Sequence, residues 1–239
     1  MTNRIITSCG VGSWHPNGLV RMKNSFAKYS GFDIKLWNNE YPPESPTHQE
    51  NPYAFKAYTL NWCRNNGYNV ALWLDAAIWA NKDPCSIFEH IEKQGYILLK
   101  NGDWNQGQWS TDTQLKYYNR TREEAFNIQH PMASMFGLSF THPVGIQIFD
   151  RYFKAAKDGI FIGPWWNKNK EVSDDERVVG SRHDQTCLGY IANDLGLLFN
   201  DDIVAYVKPY SEGKLRLHDD KDISDIIFHS QGGGSWPPV

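Results

Sequence analysis

Apolar and polar positions along the chain follow two different periods, and each change of period predicts an element. Residues 4–8, RIITS, are a short β-type run broken by the turn Cys9-Gly10-Val11-Gly12. Leu19, Met22 and Phe26 then fall three and four apart, the stripe of a helix that Asn17 is placed to cap. Residues 32–37, FDIKLW, alternate as a half-buried strand does. After a proline-rich polar loop over 41–52, residues 53–66 predict a second helix closed by Gly67. Residues 69–74, NVALWL, are largely apolar without alternation, which predicts a strand covered on both faces. Asp83 followed by Pro84 marks a third helix start, with Ile87, Phe88 and Ile91 as its buried stripe, and residues 96–99 are the next strand. The order β-α-β-α-β-α-β predicts an α/β fold with a mostly parallel central sheet flanked by helices.

The second half reads differently. Residues 101–122 are polar around Trp104 and Trp109 and predict a long functional loop holding one helix. Residues 132–139 predict a strand interrupted at Gly137, and Val144, Ile148 and Tyr152 a helix ending at Gly159. A second polar loop over 160–182 contains Pro164-Trp165-Trp166, and Leu188, Ile191 and Leu195 mark a helix that starts near Asp184. The tail predicts strands over 203–207 and 223–228 before Gly232-Gly233-Gly234. No repeat, low-complexity tract or linker divides the chain, so residues 1–239 read as one domain.

Composition narrows the classes. The 239 residues suffice for one large core, and 41% hydrophobic with 21% charged residues excludes a disordered chain. A net charge of -3 gives no global pull toward nucleic acid or acidic membrane. Aromatic residues reach 14%, with ten tryptophans, a density that fits flat stacking surfaces for sugars or bases. Cys9, Cys63, Cys85 and Cys187 form no C-x-x-C pair and read as reduced thiols of an intracellular protein. MTNRIITSCG lacks the apolar core of a signal peptide, and no window approaches the ~20 apolar residues of a bilayer span. The expectation is a cytoplasmic protein.

In open α/β sheets ligands bind beyond the carboxyl ends of the parallel strands, and three stretches fall there: residues 7–12, Asp75 and residues 101–109. A carboxylate ending a buried strand is costly unless paired, hydrogen-bonded or metal-bound. Two readings of Asp75 stay open: it caps a turn by accepting from the N–H of Ala77 or Ile78, or it faces a diphosphate through a divalent cation or holds a ribose hydroxyl. The Gly10-x-Gly12 loop is not a dinucleotide fingerprint, because His15 stands where a third glycine is required. Asp184 is either a first-turn acid favoured by the helix dipole, or it joins Arg182, His183 and Gln185 in a polar cluster around a reacting group. A lysine early in a helix, as Lys56 is, is usually solvated. Trp104, Trp109, Trp165 and Trp166 lie in predicted loops, as anchors or stacking platforms.

The order and spacing of N-P-Y-A-F-K-A-Y (51–58), G-Y-N-V-A-L-W-L-D-A-A-I-W (67–79) and R-H-D-Q-T (182–186) resemble a group of bacterial and viral nucleotide-sugar transferases with the GT-A fold. The resemblance covers residues 4 to 230 and implies a glycosyltransferase moving a sugar from a nucleoside-diphosphate sugar to a saccharide or other acceptor hydroxyl. Modified nucleic acid stays open as acceptor, since aromatic loops also stack on unpaired bases. It implies a nucleotide-binding half over about 1–100 and an acceptor-side half over about 101–239. The nucleotide site would comprise Thr7, Ser8, Cys9, Gly10, Asp75 and Ala76, with Lys56 near the phosphates or ribose. The acceptor side would comprise Trp104, Trp109, Arg182, His183 and Gln185. Asp184 is the first candidate base for an inverting transfer and Asp103 the second.

The family's D-x-D motif binds Mn²⁺ or Mg²⁺ on the diphosphate, hard cations suited to carboxylate oxygens. Asp75 matches its first acid, but Ala77 takes the place of the second and removes a direct ligand. His229, in H-S-Q-G, resembles the metal-binding histidine of some retaining members and is the candidate second ligand beside Asp75. Two other readings compete. The missing acid favours an inactive sugar-nucleotide or glycan-binding module. A nucleotidyltransferase is the weaker reading, because residues 10–18 hold no lysine or arginine.

Overall fold

The computed structural model describes residues 3–200, 206–207 and 226–230. Ten strands occur among them: β1 (Arg4–Gly10), β2 (Asp33–Asn38), β3 (Val70–Leu74), β4 (Ile78–Ala80), β5 (Tyr96–Ile97), β6 (Lys100–Asn105), β7 (Gln129–Pro131), β8 (Met135–Ser139), β9 (Tyr206–Val207) and β10 (Phe228–Ser230). The α-helices are α1 (His15–Phe26), α2 (Ala54–Asn65), α3 (Cys85–Gln94), α4 (Gln106–Trp109), α5 (Asp112–Tyr117), α6 (Arg122–Phe126), α7 (Pro143–Lys157) and α8 (His183–Asp194).

The central sheet has the order β2-β1-β3-β8-β5. β2, β1 and β3 are parallel; β8 runs against β3, and β5 runs against β8, so four of the five strands share a direction. The expected α/β fold with a mostly parallel sheet is therefore present. β3 explains its own sequence. Val70, Leu72 and Leu74 face a core built with Leu19, Met22 and Phe26 of α1 and Ile87, Phe88 and Ile91 of α3. Ala71 and Trp73 face the opposite core, formed with α2, α7 and α8. Both faces are covered, so no polar position interrupts the run.

Several boundaries differ from the pattern. Helix α1 starts at His15 with Pro16 in its first turn, so Asn17 lies inside the helix and caps nothing; proline's fixed φ suits that first turn. Pro84 holds the N-cap position of α3, one residue beyond Asp83, although Asp83 Oδ1 still accepts from the Cys85 N–H at 2.9 Å. The stretch 101–122 is not one loop with one helix: β6, α4 and α5 occupy most of it, and α6 begins at its end. The strand expected over 132–139 is shorter, beginning at Met135, while Gln129–Pro131 pairs with β6 instead. Gly137 does not interrupt β8: a side chain there would meet Ile91 and Ile97. The tail strands are seen as Tyr206–Val207 and Phe228–Ser230; of the predicted runs, residues 226–227 are not strand, and 203–205, 223–225 and Gly232–Gly234 lie outside the described residues. The four cysteines are free thiols. No helix among the described residues is long and apolar enough to cross a membrane.

One close approach ties α1 to the carboxyl edge of the sheet. A Cβ on Gly18 would lie 2.3 Å from the Ala76 carbonyl oxygen, one residue beyond Asp75. Gly18→Ala gains up to about 1 kcal/mol of helix propensity. The backbone shift it forces costs about 1–3 kcal/mol. The expected result is a net loss of stability in urea denaturation; a more stable variant would contradict this packing.

Candidate active site

The carboxyl end of β3 and the N-termini of two helices converge on one cleft of about 310 Å³, whose walls include Tyr53, Lys56, Asp75, Trp104, Trp165, Arg182, Asp184 and Gln185. Asp75 follows β3 directly, and its N–H donates to the Ser134 carbonyl at 2.7 Å, where antiparallel β8 begins. The turn after it is closed by its main chain: the Ile78 N–H donates to the Asp75 carbonyl at 2.9 Å. The carboxylate is thus not spent on capping that turn. Its Oδ1 accepts from the Trp73 indole N–H at 2.8 Å and pairs with Lys56 Nζ at 3.3 Å.

Lys56 is buried, against the expectation of a solvated lysine. Its ammonium lies between two carboxylates, 3.3 Å from Asp75 Oδ1 and 3.1 Å from Asp184 Oδ2, and donates to the Ala133 carbonyl at 2.8 Å. A buried ammonium is tolerated only with such compensation. Burial alone would lower the lysine; Asp184 and Asp75 outweigh it and leave the ammonium above its ordinary range. Asp184 lies in the first turn of α8 and is buried. Burial lifts its carboxyl to about 6, Lys56 pulling against that rise and the charge of Asp75 adding to it. The Tyr152 hydroxyl donates to Asp184 Oδ2 at 3.2 Å.

Both helices enter the cleft through strained residues. Tyr53, the N-cap of α2, has φ 63°, and His183, the first residue of α8, has φ 52°. Their rings lie 5.5 Å apart. Left-handed backbone at two non-glycine residues is held only where the surroundings over-determine it, and here it aims the first turns that carry Lys56 and Asp184.

The other expected residues divide. Trp104 and Gln185 line the cleft, and the Gln185 amide donates to the Pro131 carbonyl at 2.5 Å. Trp109 is buried and stacked on Trp104, with ring centroids 4.4 Å apart. Arg182 lines the cleft as well. His183 is buried behind the cleft-lining rings of Tyr53 and Trp165 and does not line it: its Nδ1–H donates to the Phe161 carbonyl at 2.9 Å, and burial lowers the imidazole to about 4. Thr7, Ser8 and Cys9 of β1 are buried, Thr7 Oγ1 donating to the Lys35 carbonyl at 3.0 Å. Burial pushes the Cys9 thiol up to about 12. Gly10 abuts Leu19 and the His15 carbonyl, and Ala76 is buried against Gly18. None of these five is among the residues lining the cleft, and the side chains of Thr7, Ser8, Cys9 and Ala76 are buried. Asp103 is exposed on β6 and lines no part of the cleft. Tyr53, Trp73 and Tyr152 complete the site and were not among the expected site residues; Tyr53 and Trp73 stand in the two stretches that carry the resemblance, and Tyr152 in an ordinary helix stripe.

Among the described residues, the donor set around Asp75 does not fit a protein-held divalent cation. Ala77 supplies a methyl group, Asp75 Oδ1 is already shared by an indole and an ammonium, and His229 stacks on Trp79 at 5.4 Å in the β4–β10 pair. Among the described residues no three His, Cys, Asp or Glu side chains group to hold a metal. Where two carboxylates would share a cation, Lys56 already supplies one.

No protein-family model matches the chain, and no curated protein matches it in sequence. Two solved structures resemble it over nearly the whole length of both chains. One is a glycosyltransferase involved in the glycosylation of the major capsid of PBCV-1, with TM-score 0.54, 13% identity, and coverage of 95% of this chain and 93% of that one. The other is mouse xyloside xylosyltransferase 1 in its apo form, with TM-score 0.52, 8% identity, and coverage of 99% of each chain. The chain has the GT-A-like glycosyltransferase fold. At these identities the likeness is one of architecture, and what a GT-A-like cleft does is read from its own residues.

Proposed function

We propose that the chain transfers a sugar from a nucleoside-diphosphate sugar to an acceptor hydroxyl. The observation that carries this reading is the Asp75–Lys56–Asp184 triad, buried at Lys56 and Asp184 and opening through Asp75 into a cleft at the carboxyl end of a parallel strand on a GT-A-like fold. Asp75 is the one member of that triad with a third of its side chain exposed, so it is the member able to meet a donor ribose or diphosphate. For an inverting transfer Asp184 takes the proton of the attacking hydroxyl, because a carboxyl near 6 is ionised at neutral pH and still basic enough to accept it. Lys56 fixes both carboxylates at once. Trp104 and Trp165 offer ring surface to the sugar acceptor. Asp103, exposed and outside the cleft, has no part in this scheme.

The test is thermal denaturation with nucleoside diphosphates and their sugars, in EDTA and then with Mn²⁺ or Mg²⁺, on the wild type and Asp75→Ala. A ligand at ~100 times its dissociation constant adds about 2.7 kcal/mol. That corresponds to a rise of about 5–11 °C for a chain of this size. Stabilisation that vanishes in Asp75→Ala is expected; no response to any donor would sink the reading. Ala77 favours one second reading, a module that binds sugar nucleotides without turnover. Product analysis separates the two, since only transfer releases nucleoside diphosphate together with a glycosylated acceptor.

A further inference from the structure

Two cations line the cleft, and they are not equivalent. Lys56 is neutralised by Asp75 and Asp184. Arg182 has no carboxylate within ion-pair distance among the described residues, and its Nη1 is buried without a hydrogen-bond partner. What surrounds it is aromatic. Its guanidinium carbon lies 4.0 Å from the ring centroid of Trp109, 4.7 Å from Trp165, and 5.1 Å from both Trp104 and Trp166.

Four indole faces stabilise a cation, each by about 0.5–2 kcal/mol. They accept none of its five N–H bonds in the way an oxyanion does. A guanidinium enclosed by four indole rings has little rotamer freedom left to lose, and its fork matches two oxygens of a carboxylate or phosphate. A merely structural arginine would be expected to spend its N–H groups on carbonyls or acids, as Arg122 does on the carbonyls of Gly107 and Ser110 and on Asp112. Trp165 and Trp166 remain partly exposed, so the cage is open to solvent on the cleft side.

We propose that Arg182 is an oxyanion-binding group of the cleft, taking a carboxylate or phosphate of a substrate between the four tryptophans. This rests on the sugar-transfer reading and gives its substrates a chemical class: one of them presents an oxyanion at the tryptophan side of the cleft. Two sources supply that group, the diphosphate of the donor or an acidic acceptor such as a uronic-acid glycan. Every member of the cage comes from residues 104–182, the half expected to face the acceptor.

The probes are inorganic pyrophosphate, trigalacturonate and neutral maltotriose, titrated calorimetrically and by tryptophan emission into the wild type, Arg182→Gln and Arg182→Lys, in EDTA. The expected result is that at least one anionic probe binds the wild type ten-fold or more tighter than Arg182→Gln, while maltotriose does not distinguish the two. Loss of pyrophosphate assigns the oxyanion to the donor, and loss of trigalacturonate assigns it to the acceptor. Wild type binding neither anion, or Arg182→Gln binding both unchanged, overturns the proposal. Should Arg182→Gln fail to fold, Arg182→Lys decides: it keeps the charge and loses the fork, so anion affinity equal to wild type overturns the proposal and a three-fold or greater loss supports it. Asp75-dependent stabilisation by nucleoside diphosphates, measured separately, keeps the outcomes apart. If it persists while the arginine variants bind anions normally, only this proposal falls.

Discussion

Lys56→Met should cost about 3–5 kcal/mol, the penalty for removing one partner of a buried ion pair. Methionine fills similar volume, so the loss measures charge more than cavity. Two carboxylates, Asp184 buried and Asp75 partly so, would face each other without the ammonium that now lies 3.1 and 3.3 Å from them. The corresponding fall in melting temperature is about 6–20 °C. The deficit should shrink on acidification, and the sign follows from Asp184. Its folded-state value is raised to about 6, so the folded protein takes up a proton before the unfolded chain does. Falling pH through that range therefore favours the folded state. Without Lys56, which pulls Asp184 down, the carboxyl rises further and the effect grows. Urea denaturation at pH 5 and pH 7.5 checks this. A loss below 1 kcal/mol, or one equal at both pH values, would mean that the triad is not the electrostatic unit described. Adding Asp184→Asn to Lys56→Met should recover part of the loss.

The triad also marks where the sequence stops being informative. β3 and the acid at its end were legible, because a run covered on both faces has an unmistakable composition and a carboxylate interrupts it. The burial of Lys56 was not, although the resemblance names Lys56 as a site residue, since that burial comes from residues far along the chain: Asp184 at the start of α8 and the Ala133 carbonyl before β8. Local pattern describes only what a helix does with its own neighbours. The antiparallel course of β8 is equally a long-range fact, invisible in a stretch whose composition suits either direction. Other misreadings were avoidable. Asn105 with Gln108, Thr111 with Gln114 and Thr121 with Glu124 each form a reciprocal capping box, and that spacing stands in the sequence. Three helix starts lie in and beside a stretch whose polarity alone reads as loop. Pro16 marked the first turn of α1 more firmly than Asn17 marked a cap, because a fixed φ is a stronger constraint than a capping preference. Asp103 failed as a candidate for a simpler reason: following a strand end in sequence does not turn a side chain toward the cleft, and in β6 it faces solvent.

Asp184→Asn should lower the transfer rate by 10²–10⁴, the usual contribution of a positioned acid–base group, while nucleoside diphosphate affinity stays within about three-fold. The amide is isosteric, and Lys56 keeps Asp75 as a partner, so a rate loss without a binding loss isolates the carboxylate's chemistry. Asp103→Asn, at an exposed position, serves as the control and should change the rate by less than about two-fold, the small effect expected where no substrate is touched. The pH profile separates a base from a residue that merely holds the sugar. With Asp184 raised to about 6, kcat should climb through that pH as the carboxyl loses its proton. Tyr152→Phe removes a hydrogen bond that favours the carboxylate, so the acidic limb of its profile should move to higher pH while the plateau rate is kept. A purely steric role for Tyr152 predicts the reverse, a lower plateau with an unmoved limb. If the limb survives in Asp184→Asn, the titrating group is elsewhere and the base assignment fails, even with the donor still bound at Asp75.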